Sequence, residues 1–123
     1  KTINTPDAPA PIGPYSQAVL SNDNLYLSGQ IALDPDTGEL ITNNIVDETH
    51  QVMKNIQAII NAAGLNMGQI IKCSIFITNM DDFAEINEVY GTYFNNDPPA
   101  RETVEVSRLP KNVNVEISVI ANG

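Results

Sequence analysis

Two side chains toward the end of the chain, Arg101 and Glu116, carry the strongest chemical signal. A guanidinium is a planar fork that donates two parallel charge-assisted hydrogen bonds, which suits a carboxylate ligand. A carboxyl group beside it can accept and return a proton. Segments 101–107 and 113–121 alternate as strands do. In the first, Arg101, Thr103 and Glu105 share one face, with Val104 and Val106 on the other; in the second, Val113, Val115, Ile117 and Val119 oppose Asn114, Glu116 and Ser118. If the two form a hairpin turning near Leu109-Pro110 with apolar faces matched, paired numbers sum to about 219. That register sets Thr103 opposite Glu116, and Arg101 opposite Ser118 and diagonal to Glu116, about 7–8 Å away. One small ligand can touch both groups across such a diagonal. The same spacing fits a plain cross-strand ion pair on a solvated face, worth under about 1 kcal/mol. The pattern alone leaves both readings open.

Other chemistry-bearing residues say less. His50, early in a helical stretch, reads as an exposed or capping residue, and one His with one Cys is too few soft ligands for zinc. Asp34, Asp36 and Gly38 are spaced like part of a calcium loop, but the glycine comes one place early and no Glu closes the loop, so the segment reads as a turn. Cys73 lies in an apolar run and reads as a core thiol. Ser28-Gly29 lacks the flanks and the partner His of a nucleophile elbow, and neither Lys54 nor Lys72 carries the signature of a Schiff-base lysine.

Several elements must position Arg101 and Glu116. The stretch 25–31 (LYLSGQI) alternates like a strand, and Gly29 marks a bulge or a close backbone approach. Thr5–Pro14 holds four prolines and reads as an extended entry segment. From about Ile45 to Ala63, Val52, Met53, Ile56, Ile59, Ile60 and Ala63 recur at helical spacing, and Gly64 stands where a left-handed cap belongs. Ile70–Thr78 reads as a buried strand. Asn79 or Asp81 caps a second helix running to Phe94, with Phe83, Ile86, Tyr90, Tyr93 and Phe94 inward and Pro98-Pro99 blocking its continuation. The order β-β-α-β-α-β-β predicts one α+β domain over residues 1–123, with a mixed sheet and both helices on one face. The other face then needs cover, which copies of the same chain can supply.

Composition narrows the partners. Fifteen acidic residues against six basic ones give a net charge of -9, which argues against a phosphate backbone as a partner. The only arginines are Arg101 and Arg108. The single cysteine excludes an internal disulfide and fits a reducing compartment. With no membrane-length apolar run and no basic-then-apolar leader, the expected location is cytoplasmic.

Five segments, taken in order, closely resemble the RidA (YjgF) family of reactive-intermediate deaminases. They are Ile12-Gly13-Pro14-Tyr15-Ser16-Gln17-Ala18, Leu27-Ser28-Gly29-Gln30-Ile31, Ala63-Gly64-Leu65 with Ile70-Ile71-Lys72, Asp82-Phe83 with Ile86-Asn87 and Tyr90, and Pro99 to Val106 with Leu109-Pro110. The resemblance spans about Ile3 to Ala121. It implies a chorismate-mutase-like domain, assembled as a homotrimeric barrel with helices outside and sites in the clefts between subunits. The implied activity is cofactor-free hydrolysis of 2-iminopropanoate and 2-iminobutanoate, released by serine and threonine dehydratases, to 2-oxo acids and ammonia.

Position by position, the resemblance makes Arg101 the carboxylate-binding arginine and Glu116 the acid that orients or activates water. It also makes Tyr15 a pocket-lining residue, Ser28 and Gly29 a segment whose backbone approaches the ligand, and Asn87 a helix residue near the cleft. Thr103 stands where the family often has a different small polar residue, and Glu102 puts a charge where a small residue is usual; strand parity turns Glu102 away from the pocket. Two further readings differ in class. The same pocket can hold a 2-oxo acid without turning it over, as a binding or regulatory module. RNA cleavage or translation inhibition, reported for some relatives, fits poorly with the acidic balance.

Overall fold

The computed structural model describes residues 1–123. Its first strand, β1 (Thr2–Ile3), is a short addition to the expected order and pairs with β2 (Ala18–Ser21). A tight turn through Asn22, at φ 54°, returns the chain as β3 (Asn24–Leu27). Between β1 and β2 the proline-rich segment wraps around the buried Gln17. The Gln17 carboxamide accepts from Thr5 N at 2.7 Å and donates to the Thr5, Ala8 and Pro9 carbonyls at 3.0, 3.3 and 2.9 Å. Prolines lack backbone donors, so a side-chain amide supplies the hydrogen bonds this segment cannot make as a ladder.

Helix α1 (Ile45–Ala62) forms where the 3.6-residue period places it. Asn44 caps it by accepting from Asp47 N at 2.8 Å, and Gly64 at φ +80° takes the left-handed step past its end. Strand β4 (Ile70–Ile77) follows, then a single 3-10 turn at Met80–Asp82 capped by Asn79, and α2 (Phe83–Gly91). This helix is shorter than its apolar pattern suggests. From Thr92 the backbone tightens into i→i−3 bonds, Thr92 N to Val89 O, Tyr93 N to Tyr90 O and Phe94 N to Gly91 O, before the prolines. Strands β5 (Ala100–Glu105) and β6 (Val115–Asn122) close the fold. The Asp34–Gly38 segment is the expected turn, with Gly38 N donating to Asp34 O at 2.8 Å and Gly38 at φ +76°.

The six strands form one mixed sheet in the order β1-β2-β3-β6-β4-β5. Both helices cover one face, where Val52, Met53, Ile56, Ile59, Ile60 and Ile86 pack on Cys73, Ile75, Ile77, Val115, Ile117 and Val119. The buried Cys73 is a core thiol as read, and burial pushes its pKa up. Two buried polar side chains tie α1 to the sheet and its connections. Glu48 accepts from Asn114 N and Asn114 Nδ2 at 2.7 Å and from Val115 N at 3.2 Å, and Asn55 Nδ2 donates to Ile31 O and Leu33 O. The opposite sheet face is covered only in part, where Phe76 and Val106 pack against the small cluster of Ile31, Leu33, Leu109 and Val113; Val19, Tyr26 and Val104 are 40%, 45% and 41% exposed there. No helix is long and apolar enough to cross a membrane.

One expectation fails. β5 and β6 are not hairpin partners, because β4 lies between them, parallel to β5 and antiparallel to β6. A strand-helix-strand unit, here β4-α2-β5, returns its second strand parallel to the first. That geometry removes the expected pairing of Thr103 with Glu116 and of Arg101 with Ser118. Thr103 lies beside Ile75, and Arg101 beside Cys73.

Candidate active site

The register fixes where Arg101 and Glu116 stand. Arg101 pairs with Cys73, and so shares the helix-covered face. Glu116 pairs with Phe76 and points to the open face. Two interstrand spacings and three residues along the ladder separate them, about 10 Å in each direction. Within one protomer the two groups sit on opposite sides of the sheet, so no small ligand bridges them there. The plain ion pair fails for the same reason: the chain's one ion pair joins Lys72 Nζ to Glu102 Oε1 at 2.9 Å. Glu102, turned to the open face as parity requires, also accepts from the Ser74 hydroxyl. The Ser74 and Lys72 bonds hold its carboxyl below the usual carboxylate range.

Arg101 is instead held by the outer helix. Its Nη1 donates to Asn87 Oδ1 at 2.6 Å, and its guanidinium carbon lies 5.1 Å from the Tyr90 ring centroid and 5.6 Å from that of Phe83. Phe83, Asn87 and Tyr90 are spaced i, i+4, i+7 on α2, one stripe of the helix. Beneath this cradle the Tyr90 and Thr103 hydroxyl oxygens are buried without a hydrogen-bond partner. Burial first, and the adjacent Cys73 thiol second, push the Tyr90 phenol far up, so it stays neutral. Tyr90 and Phe83 were legible as inward-facing helix residues and as part of one family-like segment; Tyr90 is buried as expected, whereas Phe83 is exposed. The stripe they share with Asn87 is the signal that connects them to Arg101.

A second group gathers on the other side. β3 and β6 pair Tyr26 with Ile120, but the next bridge pairs Gln30 with Ile117. Four residue steps therefore face three, a bulge at Ser28-Gly29 as the glycine suggested. Gly29 runs directly under Glu116: a Cβ built there would stand 2.8 Å from Glu116 Cδ and 3.0 Å from its Cγ. Ser28 donates its hydroxyl to Ser16 O at 2.6 Å, which ties the bulge to the Tyr15–Gln17 segment. Tyr15 and Gly29 line one small recess with Gln17 and Gln30, and the exposed Tyr15 phenol accepts from Ile12 N at 3.2 Å. Glu116 is half-buried, and burial pushes its carboxyl above the ordinary value.

The predicted site residues thus fall into two half-sites. Asn87, Arg101 and Thr103 lie on or near the β5 edge under α2; Tyr15, Ser28, Gly29 and Glu116 lie by the bulge of β3. No three His, Cys, Asp or Glu side chains are grouped to hold a metal ion. His50 is less exposed than its position suggested: its Nδ1 is 2.9 Å from the Tyr93 hydroxyl, where the two helices meet.

The family model described as Endoribonuclease L-PSP matches residues 5–122. The chain belongs to this family, RidA (YjgF). Among RidA-family proteins, a RutC family protein of Pyrococcus horikoshii is 50% identical over 98% of this chain and 96% of its own length. The 2-iminobutanoate/2-iminopropanoate deaminase of Mus musculus is 44% identical over 98% of this chain and 90% of its own. The crystal structure of E. coli TdcF with bound serine superposes with a TM-score of 0.96 at 44% identity, covering 100% of this chain and 98% of that one. The fold is the mixed α+β sheet with two helices of the RidA family, the chorismate-mutase-like fold.

Proposed function

We propose that this protein hydrolyses short 2-imino acids, 2-iminobutanoate and 2-iminopropanoate, to 2-oxo acids and ammonia, in sites completed between copies of the chain. The observation that carries the reading is the state of Arg101. In a chain of net charge -9, this half-buried cation makes no ion pair. It is held by a neutral amide and two aromatic rings, with most of its donors free. Such a group is ready for an anion from outside the protomer, and a 2-imino acid brings a carboxylate.

The two half-sites explain why self-assembly belongs to this reading. The exposed Val19, Tyr26 and Val104 ask for cover, and the open face also bears Glu116. A homotrimer that lays the Glu116 side of one subunit against the β5 edge of the next would bring a carboxylate clamp and a proton carrier to one cleft. Arg101 then positions C2 by its carboxylate. Water adds to C2 while Glu116 takes a proton from it and passes that proton to the imine nitrogen, which gives a carbinolamine and leaves Glu116 ionised again. Glu116 then takes the carbinolamine's hydroxyl proton and delivers it to the amine nitrogen as the C–N bond breaks, so that ammonia leaves the 2-oxo acid. A carboxyl raised by burial sits nearer neutrality, which favours this two-way traffic. Tyr15, Ser28 and Gly29 shape the Glu116 side of the cleft, and Thr103 the Arg101 side. The reaction calls on no cofactor. The 44% identical mouse deaminase and the serine-bound TdcF structure support the substrate class. A cytoplasmic location, beside the dehydratases that release such imines, suits a chain whose one cysteine is a buried thiol.

The test generates 2-iminobutanoate from threonine with a threonine dehydratase and measures ammonia release with and without the protein. Acceleration that is lost in Arg101→Ala, with the oligomer intact, is the expected result. No acceleration by the wild type, with 2-oxobutanoate still bound, would point to the binding module.

A further inference from the structure

Asn87 is the one side chain hydrogen-bonded to Arg101 in the half-site. Its Oδ1 is engaged by Arg101 Nη1 at 2.6 Å, and only the oxygen of a carboxamide can accept from a guanidinium, so the amide orientation follows. Around the same guanidinium stand the rings of Phe83 and Tyr90, from the same helix stripe. The acids nearby in sequence, Glu85 and Glu88, make no ion pair with it. An acidic partner would fix the arginine equally well but would also neutralise it. A neutral acceptor fixes the rotamer and leaves the full charge for the ligand.

We infer that Asn87 is a positioning residue, which with the Phe83 and Tyr90 rings presets Arg101 for a carboxylate while leaving its charge unspent. The inference rests on the reading of Arg101 as the carboxylate-binding group. It goes beyond the resemblance, which makes Asn87 only a helix residue near the cleft. A preset clamp makes the same contact in ground state and transition state, so its loss falls on KM and not on kcat.

Two substitutions separate this role from a structural one. Asn87→Ala frees the Arg101 side chain, and re-ordering one such rotamer-rich group on binding weakens affinity about two- to twelvefold. Asn87→Asp is nearly isosteric and keeps the acceptor, so a residue needed only for packing would tolerate it best. Under the inference it is the worse change: the new carboxylate occupies the guanidinium and repels the ligand, weakening binding more than about tenfold. The experiment measures 2-oxobutanoate binding by calorimetry and KM and kcat for 2-iminobutanoate hydrolysis, on the intact oligomer of each variant. The expected affinity order is wild type, then Asn87→Ala, then Asn87→Asp, with kcat held and the Asn87→Asp defect shrinking as pH falls and its carboxyl protonates. If Asn87→Asp binds as well as or better than Asn87→Ala, or the loss appears in kcat, the inference is overturned. Arg101→Ala is the control. If it abolishes binding while both Asn87 variants bind normally, only the role of Asn87 fails; if it binds like wild type, the reading of the whole site fails with it.

Discussion

Adding one methyl group at Gly29 should separate activity from stability. The Cβ of Gly29→Ala would lie 2.8 Å from Glu116 Cδ and 3.0 Å from Cγ. Ordinary carbon contacts lie at about 3.5–4.0 Å, so the Glu116 carboxyl must retreat by about 1 Å. The retreat is cheap for the fold, because Glu116 is half-buried and its end is free to swing. Gly29 is not among the glycines with left-handed φ, so alanine is not strained there. Loss of unfolded-state entropy returns about 0.4–1 kcal/mol, and net stability should change by less than about 1 kcal/mol. A proton carrier displaced by about 1 Å, by contrast, costs about 100-fold in kcat. The assay is dehydratase-coupled ammonia release at saturating imine, alongside denaturant unfolding of the same preparation. Wild-type kcat in a folded Gly29→Ala would refute the claim that the glycine exists to seat Glu116. A stability loss beyond about 3 kcal/mol would show instead that the space is structural.

Three further outcomes follow from the same geometry. Burial raises the Glu116 pKa in the folded state, so the native protein keeps a proton that the unfolded chain loses above the ordinary value of 4.5; stability then falls as pH rises through that window and levels off above the folded pKa. Glu116→Gln should flatten this slope in denaturant titrations, and an unchanged slope would assign it to another group. Glu48→Ala leaves Asn114 N and Val115 N without their shared acceptor in the core, and should cost about 2–4 kcal/mol in unfolding free energy; a loss below about 1 kcal/mol would mean that water replaces the carboxylate. Sedimentation should give a mass near three 13.3 kDa subunits, and a mass near one would leave the two half-sites apart.

Much of the fold was legible because its signals are local. The apolar period of α1, the left-handed Gly64, the core thiol of Cys73 and the bulge at Gly29 depend on residues within a few positions of one another. Strand parity also placed Arg101, Thr103 and Glu105 on one face of β5 and Glu116 on the polar side of β6. What parity cannot say is which strands are neighbours. Matching apolar faces made β5 and β6 a hairpin, yet Val104 on that apolar side is 41% exposed on the open face, while Arg101 sits on the helix side. The edge strand's valine looked like core because its sequence cannot show that its cover comes from elsewhere. The strand-helix-strand order around α2 did carry the information that β5 runs parallel to β4. In the site, Arg101 and Glu116 were identifiable by type. The cradle of Phe83, Asn87 and Tyr90 and the anchors Gln17 and Glu48 emerge only once helix and sheet are packed.

Because Arg101 and Glu116 lie on opposite faces of one sheet, the account requires them to act from different subunits. Co-expressing Arg101→Ala and Glu116→Gln chains tests this directly, since each variant alone should be inactive. In randomly mixed rings, about one interface in four joins an intact Arg101 from one subunit to an intact Glu116 from the next, so roughly a quarter of wild-type imine hydrolysis should return. Mixed oligomers no more active than the two parents would contradict the shared site.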